Sequence, residues 1–164
     1  MNFENKLISG LFIKRYKRFF VDIKLNNKTI TAHCPNPGSM MGLLKKNNKV
    51  WITKSLNPKR KLKYTLQIIE DKNCKVGVNT HLTNKIVLDA LQRGFIKDFD
   101  KQIKIKTEKT FGKNTRFDFY LESKNKKIFL EVKNVTLKRK NKTAEFPDSI
   151  TSRGTKHLNE LINA

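Results

Sequence analysis

Two short stretches hold the residue types that hydrolytic chemistry at a phosphate needs. The first runs from Arg116 through Asp118 to Leu121, the second from Ile128 through Glu131 to Lys133. Both alternate apolar and polar residues, as half-buried strands do. Side chains two apart share a face, so Phe117, Phe119 and Leu121 lie on one side of the first strand and Asp118 on the other. In the second, Ile128, Leu130 and Val132 share a face and leave Glu131 and Lys133 together on the opposite one. If Leu121 pairs with Ile128, Asp118 falls directly across from Glu131, and a slip of one residue would turn Glu131 into the apolar face. Carboxylates opposed in this way repel by a few tenths to about 1 kcal/mol. In a chain with 36 Lys+Arg and only 14 Asp+Glu, bringing two acids together asks for a cation. Oxygen-only ligands suit Mg²⁺ or Mn²⁺, which take one or two carboxylates and leave the rest of the shell to water and phosphate. Lys133, on the same face, could orient a water and offset charge on a phosphate, which completes the set for metal-assisted phosphodiester hydrolysis. Glu108, ending the preceding predicted strand, offers a third ligand. The same residues also fit a solvated polar face in which Lys133 merely neutralises one carboxylate.

The elements that must hold these groups can be read around them. Upstream, Thr83 or Asn84 can cap a helix whose apolar face is Ile86, Val87, Ala90 and Leu91, with Gly94 closing it. Strands are expected over 102–109, 116–121 and 127–133, then a second helix over about 149–163. Its apolar face would be Ile150, Leu158, Leu161 and Ile162, and Gly154 would let it approach a sheet closely. The order from residue 83 is therefore α-β-β-β-α. Residues 1–80 read differently. A hairpin turns at Asn26 and Asn27 between residues 19–25 and 29–33, and further strands are expected at 50–52, 62–69 and 76–78. About five short strands in this span predict a small closed barrel of OB type. Trp51 and Tyr64 are expected in its core. The predicted division is thus 1–80 and 81–164.

Charge sets the class of partner. The formal net charge is +22 on 164 residues, whose natural counterpart is DNA, RNA or an anionic surface. The 29 Lys and 17 Asn also fit the drift of an AT-rich genome, so the scarcity of acids is the more informative half of the balance. No apolar run reaches the roughly 18 residues of a membrane span, and the N-terminal residues lack the pattern of a secretory signal. Cys34 and Cys74 form no CxxC motif, which excludes a disulfide scaffold or Cys-rich zinc site and suits a reducing cytoplasm. Nucleic acid is the expected partner, no membrane is, and a cytoplasmic location is expected.

The motifs, taken in order, resemble the sugar fermentation stimulation protein (SfsA) family. The resemblance is carried by His33-Cys34-Pro35-Asn36-Pro37-Gly38-Ser39-Met40, by Asn57-Pro58-Lys59-Arg60-Lys61, by Val76-Gly77-Val78-Asn79-Thr80, and by Arg116-Phe117-Asp118-Phe119. It continues through Glu131-Val132-Lys133-Asn134-Val135-Thr136-Leu137 and Phe146-Pro147-Asp148-Ser149-Ile150-Thr151-Ser152-Arg153-Gly154-Thr155-Lys156-His157-Leu158. The resemblance implies an N-terminal OB-like domain, a C-terminal domain similar to PD-(D/E)xK nucleases, DNA binding, and a role in regulating sugar-utilisation genes. By position, Asp118, Glu131 and Lys133 match the D…ExK core and Glu108 an upstream acidic position. Arg153, Lys156 and His157 fall on the helix where related folds contact phosphate, and Arg116, Lys59, Arg60 and Lys61 add basic contacts. Thr115 and Ser152 depart from the family's usual Ser and Glu. The family normally continues past this helix, so the nuclease-like domain is expected to lack its last elements. Three functions follow in order of preference: a DNA-binding regulator or accessory factor with a nuclease-like metal site, an active Mg²⁺-dependent nuclease, and a basic RNA-binding protein.

Overall fold

Strand formation starts earlier than the alternation pattern indicates. In the structure, a computed structural model that describes residues 1–99, 103–112, 115–124, 126–139, 143–145 and 151–164, the first strand is β1 (Ile8–Tyr16). Its apolar run Leu11-Phe12-Ile13 hides the period of two. A bulge between Phe12 and Lys14, against β2 (Phe20–Leu25), buries Phe12 and leaves Leu11 exposed. β1 also pairs with β4 (Lys49–Lys54), and β2 with β3 (Lys28–His33). β4 pairs with β5 (Tyr64–Asp71), and a short parallel contact, Ala32 to Tyr64 and His33 to Thr65, closes the ring of five strands. β6 (Cys74–Gly77) is added to the edge of β5. This is the closed OB barrel expected from the sequence. Its centre is filled by Phe12, Val21, Ile23, Val50, Ile52, Leu66 and Ile69, all at most 2% exposed.

Three expectations about the barrel need correction. Phe19, placed with Val21 and Ile23 in one strand, lies in the turn before β2 and is 43% exposed. β5 begins at Tyr64, not at residue 62. Trp51 is not a core residue: it is half-buried, with the Lys49 and Lys75 ammonium groups 5.3 and 5.1 Å from its ring centre. Such cations stabilise a partly exposed ring by about 0.5–1 kcal/mol. Tyr64 does pack against the core. Both cysteines are free thiols, and burial pushes the Cys34 thiol upward, which keeps it protonated and inert.

The second unit opens with α1 (Thr83–Gln92), closed as expected at Gly94 with φ +65°. Its inward residues are Val87, Leu88 and Leu91, while Ile86, predicted on the apolar face, is 54% exposed. β7 (Lys104–Phe111), β8 (Thr115–Glu122) and β9 (Lys127–Leu130) form one antiparallel sheet in that order. The predicted register holds: Leu121 faces Ile128 and Phe119 faces Leu130. One face carries Phe119, Leu121, Ile105, Ile128, Leu130 and Val132 onto α1 residues Val87, Leu88 and Leu91. Phe117 is buried in a separate ring cluster, 5.9 Å from Phe111 and 5.2 Å from Phe129.

α2 (Ser152–Ile162) starts at a cap, Thr151, whose hydroxyl accepts the Gly154 N–H at 3.0 Å. Ile150 and the predicted first residues of this helix lie outside the described residues. Leu158 and Ile162, expected on its buried face, are 64% and 82% exposed, and the half-buried positions are His157, Glu160 and Leu161. Gly154 does not serve a close approach to a sheet, because a Cβ there would meet only Thr151 Oγ1, at 3.1 Å.

The two units interleave along the chain, one being Met1–Leu82 with Asn134–Asp148, the other Thr83–Lys133 with Ser149–Ala164. The predicted cut at residue 80 is therefore only one of the crossings. In the returning stretch Leu137 is 8% exposed and forms an isolated bridge with Glu145. A Cβ at Gly42 would sit 3.5 Å from Leu137 Cδ1, so the stretch packs on the barrel unit's own loop.

Candidate functional site

Asp118 sits in mid-strand β8 between Phe117 and Phe119, which do not share one face as predicted but are buried in separate clusters. Both of its oxygens are occupied. Oδ1 accepts the Asn84 side-chain amide at 2.7 Å, and Oδ2 accepts the Val132 N–H at 2.7 Å. The second bond accounts for β9 ending at Leu130 rather than at 133 as predicted. Past that residue a side-chain carboxylate, not a strand carbonyl, takes the backbone donor. Charge-assisted bonds of this kind are short and fix a side chain's rotamer.

Glu131 follows at once, its side chain 11% exposed. Its Oε1 accepts from Lys133 Nζ at 2.6 Å and lies 3.2 Å from His157 Nδ1 on α2. A carboxylate only accepts, so His157 must donate from Nδ1. His157, expected on the helix that contacts phosphate, is a partner of Glu131 in the structure.

Glu108 is not at a strand end but within β7, where the pairings on either side, Thr107 to Phe119 and Lys109 to Phe117, place it across from Asp118. Glu108 and Asp118 thus stand at corresponding positions of two adjacent strands, and Glu131 directly follows the third. Glu108 has φ +56°, a left-handed conformation that costs a non-glycine residue about 1–2 kcal/mol. Its carboxylate bonds Arg116 Nε at 2.7 Å, so Arg116, predicted to contact nucleic acid, is engaged by Glu108.

Glu108, Arg116, Asp118, Glu131, Ser152, Lys156 and His157 line one cavity of about 710 Å³ within this unit. Among the described residues no three His, Cys, Asp or Glu side chains close into a ready-made metal cage. The donor set nevertheless fits a hard divalent cation, which needs one or two oriented carboxylates and completes its shell with water and phosphate. The supporting bonds from Asn84, Val132 and His157 are the kind that aim such ligands. Of the other predicted contacts, the Arg153 side chain lies outside the described residues. Lys59, Arg60 and Lys61 belong to the barrel unit, in the loop between β4 and β5. Sequence reasoning missed Asn84 as a site residue because its partner is 34 positions away and nothing local marks it. Ser152 was noted only as a departure from the family pattern.

A model of the sugar fermentation stimulation protein RE domain matches residues 81–164, and one of the SfsA N-terminal OB domain matches residues 13–78. The chain is 56% identical to the sugar fermentation stimulation protein homolog of Pelagibacter ubique (strain HTCC1062), a match covering 100% of this chain and 71% of the relative. It is 45% identical to the homolog of Brucella ovis, over 99% of this chain and 69% of that one. Its fold is similar to a solved structure of Pyrococcus furiosus SfsA in complex with Ca²⁺, with a TM-score of 0.81 over 99% of this chain and 68% of that one at 24% identity. Motifs along the whole chain, both domain models and close relatives agree: the chain belongs to the sugar fermentation stimulation protein (SfsA) family.

Proposed function

We propose that this protein binds DNA and holds a divalent cation, Mg²⁺ or Mn²⁺, between Asp118 and Glu131 where a backbone phosphate is engaged. The observation that carries the reading is the pairing of two oriented carboxylates in one cavity with Lys133, Lys156 and Arg116 close by, in a chain of net charge +22. The solved fold neighbour's complex with Ca²⁺, an ion with the same taste for oxygen ligands, supports a hard-cation site. Each residue has a stated part. Asn84 and the Val132 N–H hold Asp118, His157 holds Glu131, Lys133 supplies positive charge beside Glu131, and Lys156, which lines the same cavity, would meet phosphate. A bound divalent ion would polarise a phosphate oxygen and lower the pKa of a bound water. The relatives' names point to stimulation of sugar fermentation, and for this chain the corresponding role is a regulator or accessory factor acting on DNA. RNA offers the same phosphates, and binding to duplex DNA compared with RNA of equal length at one salt concentration separates the two partners.

Hydrolysis of the bound phosphodiester is a second reading, favoured by the retention of Lys133 at 2.6 Å from Glu131. One experiment addresses both. Mn²⁺ titration of the wild-type chain and of Asp118→Asn tests the ligand assignment, and unchanged affinity in the variant would remove it. Incubation of plasmid with Mg²⁺ or Mn²⁺ tests hydrolysis. Cleavage lost in Asp118→Asn and Lys133→Ala is expected of a nuclease, whereas intact plasmid with the wild type leaves DNA binding alone.

A further inference from the structure

The barrel unit has a second concentration of unusual groups, none of which the nuclease-like cavity uses. The turn between β1 and β2, the end of β3, the loop between β4 and β5 and the 3₁₀ turn at Thr80–Leu82 all reach the mouth of the barrel where β3 and β5 meet. His33 is at the centre. Phe19 lies 6.4 Å from its ring in a stacked arrangement, His81 lies 6.4 Å away on another side, and Arg60 Nη2 is 3.3 Å from His33 Nδ1. Arg60 can only donate, so Nδ1 carries the lone pair and His33 is neutral in this arrangement. Burial, with the charges of Arg60 and His81, moves the His33 pKa down in agreement. The ring is therefore an aromatic surface rather than a cation.

Two further features need a reason. Phe19 is 43% exposed and Leu56, in the β4–β5 loop, 85% exposed, so neither contributes to the core. The β1–β2 turn places Lys17 and Arg18 at φ +44° and +63°, positions that favour Asn and Gly. The turn 17–20 and the loop 54–63 contain no acid, while Lys17, Arg18, Lys59 and Lys61 are exposed. Exposed aromatics among cations on such loops are what stacking of unpaired bases uses, every base having a π-face.

We propose that this mouth is a clasp for single-stranded nucleic acid, in which an unpaired base stacks on the open face of Phe19 and the flanking phosphates lie along the basic β1–β2 and β4–β5 loops. It rests on the nucleic-acid-binding reading above and adds a preferred substrate form and a second, metal-independent site. The test is fluorescence anisotropy with a labelled 15-nucleotide oligo(dT), an oligo(rU) of equal length and a 15-base-pair duplex, at one salt concentration without divalent ions. Phe19→Ala should weaken oligo(dT) binding roughly 5- to 100-fold, the range of one base–aromatic stack, and leave duplex binding unchanged. Phe19→Trp should bind oligo(dT) at least as well as wild type, which excludes a folding defect as the cause. An equal loss on oligo(rU) shows that the clasp reads the base and not the sugar, while a loss confined to oligo(dT) assigns it to DNA. The proposal is overturned if Phe19→Ala binds oligo(dT) like wild type, or loses duplex and single strand alike. If the wild type binds neither form, the nucleic-acid reading itself fails, a different result from either of those.

Discussion

Asp118 accepts one hydrogen bond at each oxygen, and the donor on the Asn84 side comes from a helix far off in sequence. Removing it should leave the fold intact and the carboxylate free to turn. Asn84→Ala is expected to lose about 10- to 100-fold in Mn²⁺ affinity, read by calorimetry, with an unchanged circular dichroism spectrum. Glu108 makes the opposite point. Its left-handed backbone strains β7 while its bond to Arg116 joins two side chains 51% and 66% exposed, which contributes little. Glu108→Gly should therefore raise the midpoint of thermal unfolding by about 2–4 °C, and Glu108→Val should lower it. At His33 the sign of a pH effect follows from its lowered pKa. The unfolded chain takes up a proton near the ordinary value of 6.5 while the folded ring resists, so this contribution is complete above that pH and is lost as the pH falls below it. His33→Gln should flatten the acid side of a stability profile below about pH 6.5, provided the fold is otherwise kept.

At the scale of elements, close approach and capping decide what each strand and helix tolerates. A Cβ at Gly10 would lie 2.7 Å from Ile23 Cγ2 and 2.8 Å from the Lys24 carbonyl oxygen, and a backbone oxygen in a paired strand cannot yield. Gly10→Ala should cost about 1–3 kcal/mol in denaturant unfolding. Thr151→Ala, which removes the α2 cap, should cost about 1 kcal/mol and appear first as faster amide exchange in that helix. The same scale explains what could be read from sequence. The β8–β9 register was legible because a slip would turn Glu131 into the apolar face that packs on α1. β1 was not, since a bulge breaks its alternation. Nor was the outward turn of Leu158 and Ile162, because apolar spacing marks a stripe and not what covers it. The acids Asp118 and Glu131 were found through pattern and scarcity. The groups that aim them, Asn84 and His157, are set by tertiary packing and leave no local trace.

The whole molecule acts first through its field. With 36 basic and 14 acidic residues, association with any nucleic acid should fall steeply with salt, roughly a hundredfold between 50 and 200 mM for four phosphate contacts. A slope of log affinity against log salt near zero would mean that the charge is not what binds. No helix among the described residues is long and apolar enough to cross a membrane. The interleaved path of the chain has its own consequence, for synthesis. The barrel's strands are complete by Gly77, yet Leu137 and Glu145, which pack back onto that unit, are made only after the entire β7–β9 sheet. At about 5–20 residues per second, a ribosome delivers them roughly 3–12 s after the barrel has emerged. Until then the seat beside Gly42 is open to water, and a nascent chain halted in that interval carries a barrel that is closed but not yet covered.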